Sequence, residues 1–114
     1  MSAKLTVRQV GDVVVVDAVG RLTLGEGSST FRDTLRDLVA KGNKKIVLNL
    51  GDVSYIDSSG IGELVSAFTT VTNQNGRFKL LNLTKRVQDL LQITKLYTVF
   101  EVFDDEAAAV ASFA

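Results

Sequence analysis

The stretch "DVSYIDSSGIGELVSAF", residues 52–68, decides how the chain folds. The apolar run "KKIVLNL", Lys44 to Leu50, stands before it. That run is short and continuous, as in a strand covered on both faces. Beyond the serines, Ile61, Leu64, Val65, Phe68 and Val71 recur at the spacing of one helical face. Asp57, Ser58 and Ser59 stand between, all residues that leave a strand and cap a helix. The unit is strand, turn, helix, with the helix starting around Ser58 and ending near Asn75-Gly76.

Outward from it the same alternation continues. Residues 4–10 and 12–20 read as two strands joined at Gly11-Asp12, the second carrying the β-branched run Val13 to Val16. Gly20 to Gly27 is a glycine-punctuated loop. Ser28, Ser29 or Thr30 can cap the next helix, whose apolar positions are Phe31, Leu35, Leu38 and Val39, and Gly42-Asn43 ends it. On the other side, "RFKLLNL" (Arg77 to Leu83) is a strand, and Thr84 caps a helix carrying Val87, Leu90 and Leu91. "YTVFEVF" (Tyr97 to Phe103) is a last strand, after which Asp104 caps an alanine-rich helix. The order ββαβαβαβα predicts an α/β fold: a mixed β-sheet with an opening hairpin and four helices. Phe31, Phe68, Phe78, Tyr97, Phe100 and Phe103 fall at core-compatible positions. Phe113 packs on the sheet or against a second copy.

Bulk composition narrows the function. The 114 residues are enough for one core and too few for two, so 1–114 is expected to form a single domain. Thirteen Lys and Arg balance thirteen Asp and Glu, which leaves no basic stripe for nucleic acid. Histidine and cysteine are absent, removing disulfides, thiol nucleophiles, imidazole bases and Cys/His zinc sites. No S-x-x-K or G-x-S-x-G motif offers Ser58 or Ser59 another base, and no Walker or G-x-G-x-x-G pattern offers a phosphate loop. We therefore expect no catalytic residue, no metal and no cofactor. No apolar run reaches the length of a membrane span, so the expected location is cytoplasmic, without membrane insertion.

The serines exceed what capping needs. Only one residue can be the N-cap, and neither serine completes a capping box, because Ile61 and Gly62 stand three positions on. Gly60 and Gly62 cost about 1 kcal/mol each relative to alanine in a helix. Glycine there suits the close approach of another backbone or of another protein's side chain. A phosphate at this position would meet the positive end of the helix, while a partner fitted to a small neutral patch would meet charge and bulk.

Over "VLNLGDVSYIDSSGIGELV" the sequence resembles the anti-sigma factor antagonists of the STAS-domain family. The resemblance extends through the opening hairpin, the "VGRLT" loop and the "KLLNLTKRVQDLLQITKL" stretch to the final helix. It implies a STAS-type fold and a noncatalytic partner switch. The unmodified protein binds an anti-sigma factor that is also a GHKL-type serine kinase, freeing the sigma factor. Phosphorylation ends that binding, and a PP2C-type phosphatase restores it. Carried over by position, Ser58 is the phosphoacceptor and Ser59 a secondary candidate. Asp57, Ser58, Ser59, Gly60, Ile61 and Gly62 form the partner surface, rimmed by Thr23, Leu24 and Glu26. Thr23 stands where the family often carries an acid after Gly-x-Leu, which points to a variant subfamily. The expected assembly is a monomer or weak homodimer. The alternative within the fold is a constitutive docking subunit of a transporter ATPase or a signalling scaffold, for which Ser58→Asp would leave partner binding unchanged.

Overall fold

The computed structural model describes residues 3–23 and 26–114, with residues 26–29 described by their backbone alone. Strands β1 (Lys4–Val10) and β2 (Val13–Leu22) form the antiparallel hairpin. Then come α1 (Glu26–Ala40), β3 (Lys45–Ile56), α2 (Ser58–Asn73), β4 (Arg77–Leu81), α3 (Lys85–Ile93), β5 (Val102–Phe103) and α4 (Glu106–Ala111). The sheet order is β1-β2-β3-β4-β5, and β2 to β5 run parallel. Each crossover joins adjacent strands, and the residues of α1, α2 and α3 share one core with one face of the sheet.

Alternation along the strands builds two unequal layers. Val14, Val16, Leu48 and Leu80 face the main core under Phe31, Leu35, Leu64 and Val87. Val13, Val15, Val47 and Leu81 face the other way, where they pack with the buried Ala109 and Phe113 of the C-terminal segment and the half-buried Val10, Phe103 and Val110. The valine run is thus buried on both sides of the sheet, and so are Ile46, Val47 and Leu48 in the first half of β3, as their unbroken apolar pattern predicts, whereas Gly51, Asp52 and Ser54 further along are exposed. Phe113 packs on the sheet. Beside it the buried Lys79 ammonium lies 4.5 Å from the Phe113 ring centroid and donates to Ser112 Oγ at 2.8 Å. A cation out of water needs such partners, and Glu101 completes them at 3.3 Å.

Several boundaries differ from the expectation. β3 runs on to Ile56, because its second half pairs with the end of β2, which itself continues to Leu22. Two register shifts, and Gly20 at φ 105°, let β2 bend while it keeps pairing there. α1 starts at Glu26, so Ser28, Ser29 and Thr30 lie inside it rather than before it. β4 stops at Leu81 because Asn82 takes φ 58°. The last strand is only Val102–Phe103, with the Glu101 carbonyl still accepting from Leu80 N at 2.9 Å: Phe100 turns inward to meet Phe68 and Phe78 edge-on, pulling residues 97–100 off the sheet. Tyr97 is consequently 57% exposed, not core. Asp105 caps α4 rather than Asp104, its Oδ2 accepting from Ala108 N at 2.9 Å.

Candidate functional site

The mouth of α2 is built by the ends of β2 and β3. Leu22 pairs with Ile56, and the Asp57 N–H donates to the Leu22 carbonyl at 3.4 Å, holding the two strand ends together. Asp57 then leaves the strand with extended backbone (φ −115°, ψ −173°) and caps α2. Its Oδ1 accepts from Gly60 N at 3.0 Å, and its carbonyl accepts from Ile61 N at 3.0 Å. With the cap assigned to Asp57, neither serine is needed for it.

Ser58 is the first residue of the helix and is exposed; among the described residues its hydroxyl has no hydrogen-bond partner. Ser59 is half-buried. Among the described residues no side chain stands in hydrogen-bond reach of Ser58 Oγ to take its proton. The helix end supplies a positive partial charge, and α2 carries no acid in its first turn beyond the capping Asp57.

The two glycines of the motif differ. A Cβ on Gly60 would stand 2.3 Å from the Leu22 carbonyl oxygen and 2.6 Å from Ile56 Cγ1. The close approach expected at Gly60 is therefore made by this chain's own β2. A Cβ on Gly62 would meet nothing within 4 Å, and the position is exposed. Ile61 is 3% exposed and belongs to the core, so the structure removes it from the accessible rim. Thr23 follows β2 directly and is half-buried beside the mouth; Leu24 and the side chain of Glu26 lie outside the described residues.

Three residues of the mouth escape sequence reasoning. Arg21 of β2 pairs in register with Tyr55 of β3, its guanidinium 5.1 Å from the ring centroid. Arg86 of α3 lies 4.7 Å from the same ring and donates Nε–H to the Ile56 carbonyl at 3.4 Å. They come from three elements, so no periodicity links them; only the β2–β3 register and the placement of α3 do.

Among the described residues no cluster of three or more carboxylates, histidines or cysteines could hold a metal ion. A wide hollow of about 600 Å³ opens elsewhere, by Gly51, Asn82, Thr84, Gln88 and Asp104. Its lining holds an acid and no cation, a poor cradle for a phosphate. Among the described residues no helix is long and apolar enough to cross a membrane.

Comparison with known proteins agrees with the fold. The anti-sigma-B factor antagonist of Bacillus subtilis is 31% identical over 102 residues, 90% of this chain and 92% of that one. The crystal structure of TM1081 from Thermotoga maritima superposes with a TM-score of 0.87 at 28% identity, covering 95% of this chain and 92% of that one. The Bacillus protein SpoIIAA in its phosphorylated form shares the fold, with a TM-score of 0.77 at 21% identity over 97% of this chain and all of that one. The family model of the STAS domain matches residues 4–109, and the chain belongs to that family.

Proposed function

We propose that this chain is an anti-sigma factor antagonist: a binding protein, not an enzyme, whose α2 mouth docks an anti-sigma factor and is switched by phosphorylation of Ser58. The observation that carries the reading is the division of labour at the mouth. Asp57 does the capping and Gly60 the packing, which leaves the exposed Ser58 hydroxyl unpartnered among the described residues. The Bacillus subtilis relative, an anti-sigma-B factor antagonist over nearly its whole length, supports the partner class. Ser59, Gly62, Thr23, Leu24 and Glu26 complete the partner surface in this reading, with Ser59 a secondary acceptor. The anti-sigma factor is itself the GHKL-type serine kinase, a PP2C-type phosphatase reverses it, and the switch works in the cytoplasm on a monomer or weak homodimer.

A phosphate at the first position of α2 adds about −1.5 to −2 charges where the helix end is positive, so the fold tolerates it. A partner packed against a neutral serine would instead have to bury an unmatched charge, at a cost of about 2–5 kcal/mol. The test is a pull-down from native cytosol with wild type and Ser58→Asp as paired baits, followed by mass spectrometry. A small GHKL-type kinase retained by wild type and lost with the aspartate is the expected result. The same partner on both baits would remove the switch and leave a constitutive docking subunit, of a transporter ATPase or a signalling scaffold, as the better account.

A further inference from the structure

Among the described residues no carboxylate pairs with the charges of the Arg21–Tyr55–Arg86 cluster. Asp17 and Glu106 pair with Arg8, Glu63 with Arg32, Asp12 with Lys45 and Asp89 with Lys85. Neither Arg21 nor Arg86 meets a carboxylate among the described residues, although the chain is neutral overall and both are exposed. Arg86 spends Nε–H on the Ile56 carbonyl, and its two terminal nitrogens remain unpartnered among the described residues. Tyr55 steadies both guanidiniums, reducing the freedom an exposed arginine loses on binding. Ile56 is two residues from Ser58, so the pair flanks the mouth of α2.

We propose that this pair is a docking point for carboxylate side chains: Arg21 and Arg86 receive an acidic segment of the protein that occupies the α2 mouth. This rests on the reading of that mouth as a partner surface. Planar guanidinium forks match carboxylates, which they hold by paired charge-assisted hydrogen bonds. Two arginines on a chain of zero net charge are too few for nucleic acid or an anionic membrane, each of which needs an extended basic face. The acidic segment thus sits beside Ser58, and a phosphate added there repels it as well as obstructing it.

The test is a titration of the ¹⁵N-labelled full chain with a hexaglutamate peptide, and with hexalysine as control, reading the arginine Nε–Hε signals by NMR. The Arg21 and Arg86 signals are expected to shift and saturate with hexaglutamate alone, while Arg36, exposed on α1, stays as the reference. The double variant Arg21→Gln, Arg86→Gln is expected to bind the peptide at least about tenfold more weakly. Equal shifts at Arg36, or unchanged affinity of the double variant, would overturn the proposal. So would a pair that ignores the peptide but shifts when Ser58 is phosphorylated, because its anion would then be the chain's own phosphate. The titration uses no Ser58 chemistry. A partner kept by Ser58→Asp therefore defeats the switch and leaves this proposal standing, and a failed titration does the reverse.

Discussion

Two polar regions of the molecule use arginine in opposite ways. On the thinly covered face of the sheet, Arg8 bridges Asp17 and Glu106, with contacts of 2.5 and 2.6 Å. The chain of contacts continues through Asn49, which donates to Asp17 at 2.9 Å, to Asn82, which donates to Asn49 at 3.2 Å. Every charge in that strip meets its opposite. At the α2 mouth, Arg21 and Arg86 meet a ring and a carbonyl, and no carboxylate among the described residues. The difference teaches that a neutral total says little about any one surface. A polar cluster that closes on itself stabilises the fold, whereas one left open has its interaction energy available to a partner.

The largest expected effect tests how far the mouth is open at all. Gly60 is its closed wall: an added Cβ would collide with the Leu22 backbone oxygen, which cannot swing aside as a side chain end can. Gly60→Ala is expected to cost about 3 kcal/mol or more, the upper end of overpacking effects, read as a lowered urea midpoint. A loss below about 1 kcal/mol would mean that β2 and α2 part easily, and that the wall is soft.

The next test sets the two arginine clusters side by side. Arg8→Met leaves Asp17 and Glu106 facing one another without their cation, and should cost about 1–2 kcal/mol, discounted for partial exposure. Arg86→Met should cost under about 1 kcal/mol, the worth of an exposed cation–aromatic contact. Equal losses in thermal or urea unfolding would erase the distinction between closed and open clusters.

Protons sharpen the same contrast more gently. The hydrogen bonds from Arg8, and secondarily that from Asn49, hold the Asp17 carboxyl below the usual carboxylate range, while Arg8 is held above its own ordinary value. A carboxyl depressed in the folded state contributes stability that is fully present above its unfolded value of about 3.9. That stability is lost as pH falls toward the lower folded value. Asp17→Asn is thus expected to be less stable at neutral pH and to lose less than wild type on going below about pH 4. Parallel acid unfolding curves for the two proteins would contradict the assignment.

Much of this was legible in the residues because it follows from local pattern. The helical face of α2, the Thr84 cap of α3 and the central place of β3 all follow from spacing and capping chemistry. What was not legible depends on pairing at long range. The continuation of β3 through Ser54 and Tyr55 to Ile56 needs the end of β2 beside it, and the sequence there shows no alternation. Tyr97 looks like a core aromatic until Phe100 claims the inward position. At the candidate site, the cap and the exposed serine were readable from type and order. That Gly60 answers to Leu22, that Ile61 is buried and that two arginines converge on Tyr55 became visible only once three elements were placed together.

Gly62 carries the smallest expected effect and the finest distinction. It lies in the second turn of α2, exposed, with room for a Cβ and no positive φ to require glycine. By helix propensity alone, Gly62→Ala should stabilise the protein by up to about 1 kcal/mol. If the outer mouth is a partner surface, the same methyl group stands where the partner's backbone must come close, and affinity falls as stability rises. Unfolding and partner affinity measured on the one variant therefore separate two explanations of a costly glycine. Opposite movements in the two place Gly62 on the open side of the mouth, within the interface. A gain in stability with binding unchanged removes it from that surface and confines the contact to Ser58, Ser59 and the loop after β2.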